Sequence, residues 1–243
     1  MMAATAVGAQ LTELQQAVQR RLAAQTIGQL RSVWGLLDPT DLDATFERWL
    51  RVAVPVIQSN RAASSRLAAA YLTAFRHAEL GTTDGLVVSL AAPADVKAVT
   101  TSLMVTGPWS IKQAMTRGVD LTAAVDVAEA RSSAAAMRHT LDGGRDTITD
   151  TVAADTQAFG WARVAAGNAC AFCAMTASRG PDYGSEASAN FEAHDGCQCS
   201  AEPVYHADAP WPANSQRYRD LWDEAASGTD DPINSFRRAL AGG

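Results

Sequence analysis

Apolar side chains recur every three to five residues along the first half of the chain, a spacing that puts them on one face of an α-helix. The first such stripe consists of Leu11, Leu14, Val18, Leu22, Ile27, Leu30 and Trp34. Asp38-Pro39 then ends one helix and starts the next, because Asp caps helices and Pro suits a first turn. The second stripe runs from Leu42 to Gly81 and contains Pro55, which is expected to kink or divide it.

The helical pattern continues beyond Gly81 with several interruptions. The apolar run from Leu86 to Leu90 predicts either a strand or an extended linker. Gly107-Pro108 is expected to interrupt a further pair of helices. The Ala-rich run from Leu121 to Leu141 predicts another helix, because Ala loses little entropy there, and Gly143-Gly144 is expected to break it.

The pattern changes after Phe159. Trp161–Val164 and Ser200–Tyr205 read as short strands, Thr176–Asn190 as a loop, and Gln216–Ala226 and Ile233–Leu240 as short helices. These elements predict a mainly α N-terminal part with a small α+β cysteine-rich C-terminal module. The predicted division is a helical domain at 1–143, the cysteine module at 144–210 and a C-terminal helical tail at 211–243.

The composition is that of a globular protein with enough chain for a buried core: 243 residues, 47% of them hydrophobic. The net charge is −6, and from residue 151 onward there are 12 Asp and Glu against 6 Lys and Arg. This acidity disfavours a broad nucleic-acid-binding face. No segment has the pattern of a membrane span or a secretory signal, so synthesis in a reducing cytoplasm is expected.

All four cysteines lie in one stretch, as a C-x-x-C pair and a C-x-C pair with a histidine just before the second. The five candidate metal ligands are Cys170, Cys173, His194, Cys197 and Cys199. Tetrahedral zinc takes four thiolate or imidazole ligands, and a closed set of four is structural rather than catalytic. The four cysteines are the simplest set, and three cysteines with His194 are the other.

Three alternatives compete with a metal site. The cysteines could form two disulfides in a particle that spends time outside a cell. They could be inert, buried thiols. The C-x-x-C pair could be a redox pair, although no thioredoxin-like βαβ pattern accompanies it.

The order and spacing of motifs around the cysteines carry a family resemblance. The motifs are Trp161-Ala-Arg-Val164, Cys170-Ala-Phe-Cys173-Ala-Met, Ser178-Arg179-Gly180, Tyr183, Phe191-Glu-Ala-His194 and Cys197-Gln-Cys199-Ser-Ala-Glu-Pro203-Val. Together they resemble the C-terminal signature of MuF-like minor head proteins of tailed bacteriophages, particularly those of actinobacterial hosts. The helical first part matches that family in general shape.

The resemblance implies a minor capsid protein of head morphogenesis, located inside the virion after synthesis in the host cytoplasm. Its implied partners are the portal and the capsid or scaffold protein, with contact to packaged DNA and none to a membrane. Relatives are often labelled capsid maturation proteases, and in that alternative His194 would act with Ser178 or Ser185. Some relatives carry ADP-ribosyltransferase domains, but the Glu-x-Glu pair of the arginine-specific enzymes is absent from this chain.

Overall fold

The computed structural model describes residues 3–167, 169–180, 191, 193–209, 211 and 213–242. In chain order, the helices and strands are α1 (Ala6–Val33), α2 (Leu42–Leu80), α3 (Val96–Met104), α4 (Ser110–Thr116), α5 (Leu121–Ala154), β1 (Gly160–Val164), α6 (Ala171–Ala177), β2 (Ser200–Val204), α7 (Ala213–Ala225) and α8 (Pro232–Gly242). A 3-10 turn at Trp34–Leu36 follows α1, and a π-helical turn at Val105–Trp109 joins α3 to α4.

The three long helices α1, α2 and α5 pack against one another and form the body of the protein. Local signals set their ends. Thr5, Asp41 and Asp120 each accept a hydrogen bond from a first-turn backbone N–H, which satisfies donors that the helix leaves free. Gly81 ends α2 in the left-handed conformation, at φ 74°, as glycine commonly does. The predicted mainly helical N-terminal part is confirmed.

Gly143-Gly144 does not break a helix, and that prediction was wrong. α5 continues through both glycines to Ala154. A Cβ at Gly143 would collide with the backbone oxygen of Arg61 in α2, and one at Gly144 would lie 2.8 Å from Ser64 Oγ. The glycines therefore allow α5 and α2 to approach closely, and this packing outweighs their low helix propensity.

Pro55 does not divide α2, which is continuous from Leu42 to Leu80. Trp49 and Ile57, on either side of the proline, are fully buried, so the same core holds both halves of the helix. Of the two predictions for 86–90, the extended linker is confirmed. Ala91 N–H donates to Ser65 Oγ and Thr147 Oγ1 rather than to a neighbouring strand.

The C-terminal module begins with the two predicted strands. β1 and β2 pair antiparallel, with Trp161 opposite Pro203 and Val164 opposite Ser200. Helix α6, which starts at the first cysteine pair, was not predicted. The predicted loop at 176–190 is helical at its first two residues, and positions 181–190 lie outside the described residues.

Helices α7 and α8 cover the cysteine stretch. Tyr218 of α7 and Phe236 of α8 are buried in one apolar cluster with Cys173, Cys197 and Cys199. The small module thus gains a core from the C-terminal helices. The division at 143 and 210 stays a prediction, and α5 crosses the first of these positions.

Candidate metal centre

The first pair of thiols is placed by the start of α6. Cys170 caps this helix, and its Sγ accepts a hydrogen bond from the backbone N–H of Cys173 at 3.5 Å. One helical turn therefore brings both sulfurs to the same side. Cys170 is exposed and Cys173 is buried.

A tight turn at 194–197 places the second group. Cys197 N–H donates to the carbonyl of His194 at 3.0 Å, and Gly196 has a φ of 84°, which glycine adopts without strain. His194 Nδ1 lies 2.8 Å from the Asp195 carbonyl oxygen. With Nδ1 as donor in that contact, the lone pair of Nε2 is free to meet a ligand.

The five candidate residues meet in two groups that share Cys173. In one, the ligand atoms of Cys170, Cys173 and His194 lie within 4.8 Å of one another, and in the other those of Cys173, Cys197 and Cys199 do. Cys173, which the groups share, has its Sγ 3.5 Å from Cys197 Sγ. All four cysteines are free thiols. The structure thus brings the two distant pairs to a common point.

A buried arginine of α5 holds the arm that carries the C-x-C pair. Arg145 Nε donates to the Cys199 carbonyl at 3.0 Å, and its Nη2 donates to the Cys197 carbonyl at 2.7 Å. Its Nη1 donates to Asp142 at 2.8 Å. The Arg145 side chain is only 3% exposed, so these bonds are made away from water. One guanidinium therefore fixes both residues of the pair to the long helix.

A second arginine anchors the turn itself. Arg138, also in α5, donates from Nε to Asp195 at 2.7 Å. Gly196 N–H donates to the Ala134 carbonyl at 3.3 Å. The histidine side of the cluster is therefore docked on the same helix as the C-x-C side.

The surroundings change the acidity of the outer pair. Burial acts to raise the pKa of Cys170, but hydrogen bonds from Cys173 N–H and from His194 outweigh it, and the pKa is lowered. Partial burial acts to lower the pKa of His194, but its bonds to the Asp195 carbonyl and to Cys170 outweigh that, and the pKa is raised. The pair therefore favours a thiolate beside an imidazolium, and a metal ion would have to displace the proton from His194 to bind there.

The donor set suits a soft or borderline cation. Thiolate sulfurs and an imidazole nitrogen are the ligands of structural zinc sites, and within each of the two groups the ligand atoms lie within 4.8 Å of one another. Buried Cys173, Cys197 and Cys199 leave little room for a substrate. Such an arrangement can cross-link the two arms of the module, which is a structural role.

The pairing of His194 with Ser178, one of the two serines of the protease alternative, is not seen among the described residues. Ser178 is buried and its Oγ donates to the Met175 carbonyl at 2.7 Å. His194 Nε2 instead lies 2.8 Å from Cys170 Sγ. Ser185 lies outside the described residues.

Comparison with known sequences places the chain in a family. The family model described as VG15 protein matches residues 6–225. The chain belongs to the VG15 protein family. VG15 is a phage-type viral gene protein family, so this member is a phage protein. No curated protein and no solved structure matches it.

Sequence reasoning missed the two arginines that support the cluster in this VG15 protein. Arg138 lies in the predicted Ala-rich helix and Arg145 just after the expected break at Gly143-Gly144, both more than 50 residues before the C-x-C pair. The Asp142–Arg145 spacing of three residues is a local signal, but it predicts only a helical ion pair. Among the described residues, no helix combines the length and the apolar character that crossing a membrane requires.

Proposed function

We propose that this VG15 protein is a minor component of the phage head, in which a helical body docks on the portal or capsid and a metal ion clamps the C-terminal module. The observation that carries the proposal is the meeting of the five candidate ligands on one side of α5. The MuF-like order of motifs around them supports the head assignment. The membership of a phage family is consistent with both parts.

The cluster supports a structural metal rather than an active site. Its sulfurs come from the start of α6 and from the arm that leads into β2, so an ion bound there would join segments that are about 25 residues apart in the chain. A small module with a thin core gains folding free energy from such a cross-link. Zinc is the cation that this donor set fits best.

The helical body offers a surface for docking. A groove of about 330 Å³ lies between α4 and α5, and Trp109, Val119 and Val127 in its lining are 50%, 41% and 48% exposed. Its described lining includes Arg117 and Arg131 and no acidic residue, although the chain as a whole carries −6. An acidic segment with a bulky apolar side chain, presented by the portal or capsid protein, complements this groove.

Two measurements test the proposal. Purified protein should co-sediment with portal-containing procapsids, and Trp109→Ala should weaken this binding, whereas Phe159→Ala should leave it unchanged. Phe159 is a matched control because it is 61% exposed and is not part of the groove lining. Wild-type protein that stays in the supernatant would contradict the head role. Binding to DNA but not to procapsids would show that the partner is nucleic acid and not a portal or capsid protein.

The metal part has its own readout. Elemental analysis and native mass spectrometry of the same preparation should give one zinc ion per chain and four reduced thiols. A mass lower by two hydrogens for each pair of cysteines would show disulfides in place of the clamp.

A further inference from the structure

The geometry points to a specific ligand set for the proposed clamp: Cys170, Cys173, His194 and Cys197 hold the ion, and Cys199 is not a ligand. This inference rests on the metal part of the proposed function and selects four of the five candidates. Three kinds of observation support this selection. They are the contacts between the ligand atoms, the spacing of the residues in the two turns, and the hydrogen bonds that Cys199 and His194 make outside the cluster.

The closest contacts link these four ligand atoms in an unbroken series. Cys170 Sγ lies 2.8 Å from His194 Nε2, which lies 3.5 Å from Cys173 Sγ, and Cys173 Sγ lies 3.5 Å from Cys197 Sγ. Ligand atoms around one tetrahedral zinc are about 3.3–3.8 Å apart, given bonds of about 2.0–2.3 Å. Cys170, Cys173 and His194 already have their ligand atoms within 4.8 Å of one another, and Cys197 Sγ, which contacts Cys173, has to move towards the other two to enclose an ion.

The four ligands come from two turns of the same length. Cys170 and Cys173 are three residues apart, and so are His194 and Cys197, and in each turn a backbone N–H of the second cysteine bonds back to the first residue. Each turn thus presents two ligand atoms from one short, ordered loop. Cys199 lies beyond the second turn and directly before β2.

Cys199 has other bonds that explain its burial. Its thiol accepts a hydrogen bond from the backbone of Ala166, and its carbonyl accepts one from Arg145. Its sulfur also lies within 4.8 Å of the sulfurs of Cys173 and Cys197, whereas these two bonds attach it to the segment after β1 and to α5. Cys199 is 3% exposed and packs in the apolar cluster that α7 and α8 cover, as a small hydrophobic residue does.

The imidazole is oriented as a ligand. His194 Nδ1 faces the Asp195 carbonyl oxygen at 2.8 Å. Metal-bound histidines usually have such a partner on the ring nitrogen that does not bind the metal. Asp195 is itself held by Arg138. Nε2 consequently points between Cys170 and Cys173.

X-ray absorption at the zinc edge of the wild-type protein tests the ligand set without any mutation. The expected first shell is three sulfurs at about 2.3 Å and one nitrogen at about 2.0–2.1 Å. Four sulfurs and no nitrogen would overturn the inference and leave the metal clamp in place. Wild-type protein without zinc would overturn the clamp itself, so the two failures are distinguishable.

A pair of single variants tests it independently by zinc competition with a chromogenic chelator. Cys199→Ser should keep zinc affinity within about 10-fold of wild type, the low end of what loss of an outer-shell partner costs. His194→Ala should lower affinity by more than about 100-fold, the upper end of that range. The reverse order of the two variants would contradict the assignment. Circular dichroism of both apo-proteins verifies that neither result reflects global unfolding.

Discussion

Arg145 offers the sharpest test of how the cysteine arm is held. We predict that Arg145→Met destabilises the protein by about 3–6 kcal/mol. The substitution removes two hydrogen bonds from a charged donor to the carbonyls of Cys197 and Cys199, and such bonds contribute about 1.5–3 kcal/mol each. Methionine fills a similar apolar volume, so the loss reports the polar contacts rather than a cavity.

The assay is urea unfolding followed by circular dichroism, at a fixed excess of zinc. Arg145→Lys gives an intermediate case, because an ammonium keeps the charge but cannot bridge two carbonyls in the fork geometry of a guanidinium. We expect it to recover part of the loss. Zinc affinity of both variants should fall by about 10–100-fold, as it does when outer-shell partners of a metal site are removed.

Arg138→Met is the matched control, since Arg138 lies in the same helix and binds the neighbouring turn. Its side chain is 24% exposed, so its ion pair with Asp195 is screened by water and contributes about 1 kcal/mol or less. If Arg145→Met costs no more than Arg138→Met, the idea that one buried guanidinium fixes the C-x-C arm is wrong.

Three further predictions concern the helical body and its joint with the module. Gly143→Ala should destabilise the protein by about 1–3 kcal/mol in urea unfolding, because the new Cβ collides with Arg61. Gly28→Ala, at an exposed position of α1, should instead stabilise it by up to about 1 kcal/mol. Equal effects of the two substitutions would contradict the close-packing explanation. Asp155→Ala should lower the free energy of unfolding by about 3–5 kcal/mol, because it removes the charge partner of Arg76, whose side chain is 2% exposed. Asp223→Ala, which breaks the exposed ion pair with Arg219, should lower it by at most about 1 kcal/mol in the same assay. The pKa of His139 is lowered to about 4, mainly by burial and secondly by the adjacent charge of Arg138. Between about pH 4 and 6.5 the unfolded chain therefore binds more protons than the folded chain, and the folded state loses stability as the pH falls. Unfolding free energies at pH 8 and pH 5 should therefore differ by about 2 kcal/mol more for wild type than for His139→Gln, and an equal pH dependence would refute this.

Periodic patterns predicted most of the helices and strands, because local forces decide those elements. The apolar stripe of α2 matches most of its buried face, and Gly81 ends α2 as its position indicates. In α1 the predicted stripe was wrong in part, because Leu14 is 60% exposed and polar Thr12, Gln15 and Gln19 are buried instead. Both strands were also predicted, the first, at Trp161–Val164, starting one residue late and the second, at Ser200–Tyr205, ending one residue late. In each case the side chains that set the element are its own.

The errors arose where a distant segment decides the local structure. Gly143-Gly144 would end an isolated helix, but here Arg61 and Ser64 of α2 occupy the space that side chains would need. A residue-by-residue propensity contains no term for a neighbour some 80 positions away. The same is true of Arg145, whose partners at Cys197 and Cys199 become visible only when the chain is folded.

Helix α5 makes the body and the cysteine module mechanically dependent on each other. Within five residues it packs Gly143 against Arg61, binds the cysteine arm through Arg145, and holds Ser65 and Ala91 through Thr147. Gly143 and Thr147 lie one turn apart and both face α2, whereas Arg145 reaches the cysteine arm from another side of the same rigid helix, so a shift that relieves one contact strains the others. The clamp therefore stabilises more than the small module that contains its ligands. A loosened cysteine arm leaves two donor groups of buried Arg145 without their carbonyl partners, with the bond to Asp142 remaining, in the helix against which α1 and α2 pack.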